Sequence, residues 1–278
     1  MLELPEAELV RRDLDKEISG RKIKEVDVTG AASMFDGAAS RPAFASALSG
    51  RKVMGVRRQG LSIIVDLSED DSVVFTLGAS GSLRRHANKD AVEDGTVLTI
   101  TFTQGGQLRL LTQDEGDTSV RLAPTEDLPE LLPVAEGFDP VDEQIPWTTF
   151  GQNLRGRGNQ KLRTLLMDDS FIVGIGPVYA DEILHAALLR YDRTAESITI
   201  QEIRRLNRAI VEMMHNAIKQ RGTSLEDDPF VDVFGNPGGF TEYLEVYGRA
   251  GERSRNGRGE VQKLRTGGQT HYYCDYQV

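Results

Sequence analysis

Two carboxylates, Glu3 and Glu6, lie close to the N-terminal amine at the start of the chain, MLELPEAEL. A free α-amine with a pKa of ~7.7–8.0 is partly neutral at pH 7 and can act as a nucleophile. A neighbouring carboxylate can then act as acid and base. The same stretch also suits a structural role, in which Leu2, Pro5 and Glu6 cap and pack an N-terminal helix. Taken alone, it favours the structural interpretation.

Composition limits the class of protein. The chain has 278 residues, of which 39% are hydrophobic, and this suffices for one large domain or two modest ones. No apolar run approaches the ~18 residues of a membrane span, and the N-terminus lacks an apolar signal core. The single cysteine, Cys274, excludes a disulfide framework and a multi-thiolate metal site. We expect a cytoplasmic monomer with no metal, no cofactor and no membrane contact.

The net charge of −10 is concentrated in one segment, because residues 113–144 contain ten acidic residues and one basic residue. Basic clusters can therefore exist elsewhere. One lies in NLRGRGNQKLR and the other in the tail from Val246 to Val278. Each is either a solvated face or a surface for a polyanion, and an isolated cluster favours the solvated face.

Periodicity predicts that the N-terminal part of the chain consists of one helix followed by β-strands. Residues 5–18 have the apolar spacing of a helix. Short runs such as KIKEVDVT, SIIVDLS and VLTITFT then predict strands with Gly or Asp turns between them. One helix followed by short strands predicts a β-sandwich or flattened barrel over residues 1–122.

The remainder of the chain predicts a different organisation, so that the fold class as a whole is α+β. Residues 123–144 are acidic and rich in Pro, which predicts a linker. Helical periodicity over 145–245 includes a long amphipathic helix from Ile200 to Gln220. Residues 246–278 predict a small β-hairpin.

Four patterns, in the same order, resemble the Fpg/Nei DNA glycosylases. MLELPEAEL resembles the family's Met-Pro-Glu-Leu-Pro-Glu start, and DDSFIVGIGPVYADEIL resembles its helix–two-turns–helix signature. RGTSLEDD, FGNPGGF and VYGRAGE resemble the segments before its C-terminal finger, and GGQTHYYCDYQ resembles the finger hairpin. The resemblance covers nearly the whole chain. It implies a β-sandwich domain and a helical domain that grip DNA between them, flip out a damaged base and cut its glycosidic bond.

The resemblance implies that the catalytic positions are Glu3, Glu6 and the N-terminal amine. In the family, Met1 is removed and the exposed Pro amine attacks the sugar; Leu2 occupies that position here. If Met1 is retained, its amine is displaced by up to ~3.8 Å, and a misplacement of 1 Å can cost ~100-fold in rate. If Met1 is removed, Leu2 presents a primary amine, which some relatives use.

Other functional positions are also replaced. Leu61 stands at the hairpin position of a catalytic Lys, and Ala79 replaces a Met that fills the gap left by the flipped base. Asp114, Glu115 and Gly116 replace an Arg, Arg and Phe that contact the orphan base and wedge the duplex. Carboxylates near phosphates oppose DNA binding.

The helical domain and the finger keep part of the expected DNA surface. The glycines of GIG offer backbone amides to a phosphate, and Arg163 keeps the charge of a phosphate-binding Lys, whereas Gln269 replaces the finger's Arg. The positions at which the resemblance implies DNA contact are Arg58, Lys161, Arg163, Gly174, Gly176, Tyr179, Arg249, Arg265 and Gln269.

The family's zinc-binding cysteines align with Ser254, Gly257, Cys274 and Gln277. One ligand of four cannot hold zinc, so the resemblance implies a zinc-less finger. His271 alone is not a metal site, and a surface or packing role is favoured.

Three functional hypotheses follow. The first is a DNA-repair protein that binds damaged DNA with glycosylase and lyase activity lost or strongly altered. The second is an active glycosylase for single-stranded, bulky or crosslinked lesions that uses Glu3 with a primary amine or water. The third is a protein–protein module on a retired repair fold, with the acidic segment 113–144 as its contact.

Overall fold

The computed structural model describes residues 2–132, 135–255 and 257–278. The chain forms two compact units. The first combines Met1–Val134 with Arg221–Gly239, and the second combines Ala135–Gln220 with Phe240–Val278. The segment 221–239 therefore belongs to the N-terminal unit although it follows the longest helix in sequence.

The helices are α1 (Leu4–Ile18), α2 (Arg41–Leu48), α3 (Leu128–Leu131), α4 (Trp147–Arg155), α5 (Leu162–Leu166), α6 (Pro177–Ala186) and α7 (Ile200–Lys219). The strands are β1 (Ile23–Val28), β2 (Phe35–Asp36), β3 (Val53–Gln59), β4 (Ser62–Leu67), β5 (Asp71–Thr76), β6 (Ser82–His86), β7 (Thr96–Phe102), β8 (Gln107–Leu111), β9 (Ser119–Pro124), β10 (Val261–Thr266) and β11 (Gln269–Cys274). This mixture confirms the α+β class.

The first unit contains two sheets. One has the order β1-β7-β8-β6 and the other has the order β2-β9-β5-β4-β3. Their neighbours are antiparallel except for the short parallel pair β2–β9. The inward-facing residues of both sheets meet in one apolar core, which includes Ile100 and Leu110 from the first sheet and Ile63 and Phe75 from the second. Alternation of apolar and polar residues along the strands produces this two-sheet packing.

Helix α1 is bound to the second sheet by both apolar and polar contacts. Ala7, Val10 and Leu14 are buried in the common core. The Asp15 carboxylate accepts a hydrogen bond from the backbone amide of Val56 in β3 at 2.9 Å. The apolar contacts hold the length of α1 on the core, and the Asp15 contact fixes its C-terminal end against β3.

The second unit contains helices α4–α7 and the hairpin β10–β11. Helix α7 begins with a capping box, in which Thr199 and Glu202 each accept a backbone N–H of the other. Three aromatic rings, Phe138, Phe150 and Phe171, pack within 6.2 Å of one another. Turn residues Gly267 and Gly268, at φ values of 58° and 79°, close the hairpin.

Part of the segment expected as a linker is ordered structure. Strand β9 extends to Pro124, and α3 follows after a turn of 3₁₀-helix at Thr125–Asp127. Leu128 is 2% exposed and packs with Ile64 and Val74 on the outer face of the second sheet. The boundaries at residues 122, 144 and 245 stay predictions. Within the described ranges, the helices are too short or too polar to cross a membrane.

Candidate functional site

The expected catalytic positions lie at the start of α1. Glu3 occupies the N-cap position and is 3% exposed; its carbonyl accepts a hydrogen bond from the amide of Ala7 at 3.1 Å. Leu2 is partly buried and packs against the core of the first unit. Met1, whose amine is the other candidate nucleophile, lies outside the described residues.

Glu6 anchors a distant segment of the same unit. Its side chain is 2% exposed, and Oε1 accepts a hydrogen bond from the backbone amide of Thr223 at 2.8 Å. Gly222 lies against it with φ of 77°, and a Cβ there would be 2.9 Å from Glu6 Oε1. These contacts give Glu6 a positioning role. Its catalytic assignment stays a prediction.

A second anchor holds the same segment, and it was not found from the sequence. Arg221 donates hydrogen bonds to Asp13 in α1 and to Asp232, each at 2.5 Å for the closest pair. The hydrogen bonds that Arg221 donates to Asp13 raise the pKa of Arg221 above its usual value. Burial alone would raise the pKa of Asp232, but its hydrogen bonds from Arg221 and two backbone amides lower it. These hydrogen bonds hold the segment against α1.

A cavity of about 470 Å³ lies beside Leu2 in the first unit. Its volume is within the usual range for small-ligand pockets, ~300–1,000 Å³. Its walls come from α1, from the loop before β6 and from the segment 221–239 that Glu6 and Arg221 anchor (the anchored segment). The lining residues are Leu2, Val10, Leu77, Gly78, Ala79, Ser80, Gly81, Ser82, Leu83, Gln113, Asp227, Asp228, Pro229, Phe230 and Val231.

The cavity wall at 77–81 is hydrogen-bonded to the acidic loop 112–118. Ser80 Oγ accepts from the amides of Gln113 and Asp114 at 3.1 and 3.0 Å. Ala79 donates its amide to Asp117 at 2.8 Å. A Cβ on Gly78 would lie only 2.0 Å from the Asp117 carboxyl carbon. The two loops at which the sequence predicts missing gap-filling residues therefore form one compact wall.

The hairpin between β3 and β4 turns its side chains inward. Leu61 packs against the apolar core. The side chain of Arg58 is 1% exposed and forms an ion pair with Glu8 of α1 at 2.8 Å. Burial opposes ionisation of Glu8, but hydrogen bonds from Arg11 and Arg58 lower its pKa. Arg58 thus links β3 to α1 instead of presenting its guanidinium at the surface.

In the second unit, the GIG turn precedes α6. Gly174 has φ of 70°, and its amide donates a hydrogen bond to the Asp169 carboxylate at 2.8 Å. Gly176 is the N-cap residue and Pro177 begins the helix. Tyr179 is 1% exposed and packs on Phe240 at 6.0 Å between ring centroids. Tyr179 is consequently a core residue of the unit.

Arg163 is buried and serves as a connector inside the second unit. Its Nε is 2.5 Å from Asp181 Oδ1 in α6. Its two other nitrogens donate to Gln269 Oε1 at 3.0 Å and to the carbonyl of Thr270 at 2.9 Å. Burial raises the pKa of Asp181 to about 6, and the Arg163 charge limits this rise. Two predicted DNA contacts, Arg163 and Gln269, therefore bind each other.

Three predicted DNA contacts keep exposed positions: Lys161, Arg265 and Gln269. Arg249 is partly exposed and donates hydrogen bonds to the carbonyls of Leu244 and Glu245. Among the predicted DNA contacts in the second unit, the exposed positive charges are therefore those of Lys161 and Arg265.

The finger hairpin is held by hydrogen bonds and packing. Cys274 is fully buried with Val246 and Val261. Gln277 accepts from the Cys274 amide at 2.6 Å and donates to the Leu189 carbonyl at 2.7 Å. No cluster of three or more potential metal ligands occurs among residues 2–132, 135–255 and 257–278.

A buried carboxylate fixes the segment before the hairpin. Glu182, 1% exposed, accepts the amides of Glu245, Val246 and Tyr247 at 2.9, 2.9 and 2.8 Å. Burial raises its pKa to about 7 despite these hydrogen bonds.

His271 stacks on Tyr191 at 4.7 Å between ring centroids, which fits the packing role expected for it.

Family models match most of the chain. The model of the formamidopyrimidine-DNA glycosylase N-terminal domain matches residues 1–114. The model of the formamidopyrimidine-DNA glycosylase H2TH domain matches residues 137–228.

Individual relatives match over nearly their full length. The formamidopyrimidine-DNA glycosylases of Pelotomaculum thermopropionicum and Heliobacterium modesticaldum are each 33% identical to the chain, and the match covers 99% of this chain and 98% of the relative. A crystal structure of the Lactococcus lactis enzyme with DNA that contains an abasic site matches with a TM-score of 0.87 and 26% identity over 100% of both chains. The chain therefore belongs to the formamidopyrimidine-DNA glycosylase family.

Proposed function

We propose that the protein binds damaged DNA as part of DNA repair, and that base excision and strand cleavage through an N-terminal Schiff base are lost or strongly reduced. The observation that carries this proposal is the surroundings of Leu2. At the position of the family's nucleophile, an apolar side chain packs against the core and lines the cavity. The attacking atom in the family is a free α-amine at this position, which must lie within ~3–3.5 Å of the reacting carbon; while Met1 is retained, the Leu2 nitrogen is an amide and is not a nucleophile.

The neighbouring positions support the same proposal. Leu61 packs into the core where relatives have an ammonium group, and the 77–81 wall is held by Asp117 and Ser80. In this wall, Ala79 stands where the resemblance implies the large side chain that fills the space of a flipped base. DNA binding itself is supported by the relatives, whose names are those of DNA glycosylases, and by complexes of the Lactococcus lactis protein with DNA. We expect the protein to act as a monomer on DNA in the cytoplasm.

The test combines two assays on the same abasic and undamaged duplexes. A gel shift should detect binding whose affinity falls steeply with salt, because phosphate contacts release counterions. Borohydride treatment should give little covalent adduct. Strong adduct formation would contradict the loss of activity, and no binding at any salt concentration would contradict the DNA-binding role and favour a protein–protein module.

One observation favours the second candidate, an active glycosylase with altered specificity. Glu3 is retained at the start of α1 and buried, where its carboxylate could activate water or assist a primary amine. Mass spectrometry of the N-terminus and the Glu3→Gln variant test it. Retained Met1, together with activity unchanged in Glu3→Gln, would exclude this candidate.

A further inference from the structure

The cavity beside Leu2 combines an apolar floor with an acidic mouth. Leu2, Val10 and Leu83 lie at its apolar part, and Asp227 and Asp228 lie on the anchored segment that forms its other wall. Asp227 is exposed and Asp228 is half-buried. The cavity therefore offers a ligand both an apolar surface to bury against and negative charge.

The same segment also brings an aromatic ring to the cavity. Phe230 lines the cavity and packs against the core of the first unit. It follows Asp227 by three residues and Asp228 by two, so charge and ring belong to one short stretch. Carboxylates and aromatic faces both attract cations, the first by direct charge and the second through the ring quadrupole.

The opposite wall supplies no positive charge that would offset these carboxylates. Loop 77–81 is hydrogen-bonded to Asp117 and to the backbone of Asp114. Among the fifteen described residues that line the cavity, none is Lys, Arg or His. An electrically neutral base would gain only burial and polar contacts there, and a phosphate would be repelled.

We propose that the cavity takes a base with a formal positive charge, such as a purine alkylated on a ring nitrogen. The inference rests on the proposed binding of damaged DNA and names the class of damage. A flipped cationic base would place its flat apolar surface on the cavity floor and its charge near Asp227, Asp228 and Phe230. The carboxylates that weaken binding of ordinary DNA would then distinguish the cationic base from undamaged bases.

The probe is an oligonucleotide that contains one N7-methylguanine, with a 2′-fluoro group on that nucleotide to prevent loss of the base. Its matched control carries 7-methyl-7-deazaguanine, which has the same shape and no charge. We expect the wild-type protein to bind the cationic probe about tenfold more tightly at fixed ionic strength, the ratio that one carboxylate contact and one cation–π contact together give.

Two variants assign the preference to the cavity. Asp227→Asn removes an exposed carboxylate of the lining and should lower the ratio about threefold or more. Glu226→Gln removes the same charge from the neighbouring exposed residue, which does not line the cavity, and should leave the ratio unchanged.

Three results would overturn the inference. The first is equal affinity for the two probes in a protein that does bind abasic DNA; this leaves the proposed function standing. The second is a preference that Asp227→Asn leaves intact. The third is no binding to any probe, which contradicts the proposed function as well. Retention of the folded state by the variants is checked by their circular dichroism.

Discussion

The guanidinium of Arg163 and the carboxylate of Asp181 form a buried ion pair, with Nε 2.5 Å from Oδ1. The two residues are 2% and 1% exposed. Arg163 also donates to Gln269 at the turn end of β11. The charge that the sequence assigns to phosphate binding is thus used to attach the finger hairpin to α6.

Arg163→Ala should lower the stability of the second unit by about 3–5 kcal/mol, because it leaves the Asp181 carboxylate buried without its cation. Urea unfolding followed by the fluorescence of Trp147, the only tryptophan of the chain and a residue of that unit, measures this. Replacing both partners, as Arg163→Met with Asp181→Leu, should cost less. A loss below about 0.5 kcal/mol for Arg163→Ala, the usual range for surface sites, would show that the pair does not form in solution.

Lys161→Ala should weaken DNA binding and leave stability almost unchanged, in contrast to Arg163→Ala. Lys161 is exposed, so its removal should change stability by less than about 0.5 kcal/mol. If Lys161 contacts a phosphate, DNA affinity should fall, and the slope of log affinity against log salt should decrease by about 0.9. A salt titration of the gel shift measures both quantities. An unchanged slope would remove Lys161 from the DNA interface.

His185 should make stability depend on pH. Burial lowers its pKa to about 4, and the charge of Arg249 contributes. The unfolded chain therefore binds more protons than the folded chain between pH ~6.5 and about 4, so this contribution to stability is lost as the pH falls through that window. The full effect is on the order of 3 kcal/mol.

The His185→Phe variant isolates this contribution. Asp181 and Glu182 titrate in an overlapping pH range, but both are present in wild type and variant, so their effects cancel in the difference between the two proteins. The difference in stability between wild type and variant should shrink as the pH falls from 6.5 to 4. The variant also loses the hydrogen bond of 2.5 Å between His185 Nε2 and the Tyr276 hydroxyl, which lowers its stability at every pH. A difference that stays constant over this range would contradict the assignment.

Gly78→Ala should disrupt the cavity wall. Its Cβ would lie 2.0 Å from the Asp117 carboxyl carbon, and relief of such overlap costs typically 1–3 kcal/mol. Asp117→Ala removes the obstacle, so the double variant should be more stable than the sum of the two single effects predicts. Thermal unfolding of the three variants measures the coupling. Additive effects would mean that the two loops are not in contact.

The finger should not depend on zinc. Chelators should leave the unfolding temperature unchanged, since three of the four ligand positions carry no thiol. Gln277→Ala should instead destabilise the second unit by about 1–3 kcal/mol, because it removes two buried hydrogen bonds. A chelator-dependent drop in unfolding temperature would contradict this account of the finger.

Much of the fold was predictable from local patterns. The helix predicted over residues 5–18 is Leu4–Ile18 in the structure, and the helix predicted from Ile200 to Gln220 is Ile200–Lys219. Each has a clear start signal, a Pro in the first turn or a capping box, and a single apolar stripe. The alternation of apolar and polar residues from Leu98 to Phe102 in β7 was an equally clear signal.

The internal use of charged residues could not be predicted. Arg58, Arg163 and Glu6 each find a partner 50 or more positions away or in another element: Glu8, Asp181 and Thr223. Sequence spacing carries no signal for such pairs, because the fold and not the local chain brings them together. The resemblance named these positions but could not indicate which charges would be buried.

We propose that the N-terminus does not form a Schiff base with a DNA sugar. Sodium borohydride trapping on an abasic duplex, followed by intact-protein mass spectrometry, measures this. A relative that begins Met-Pro-Glu serves as the positive control, and Leu2→Pro restores the family residue in this chain. The account predicts no adduct above background for the wild-type protein while the gel shift still detects binding. A wild-type adduct in the yield of the positive control, mapped to residue 1 or 2, would contradict it.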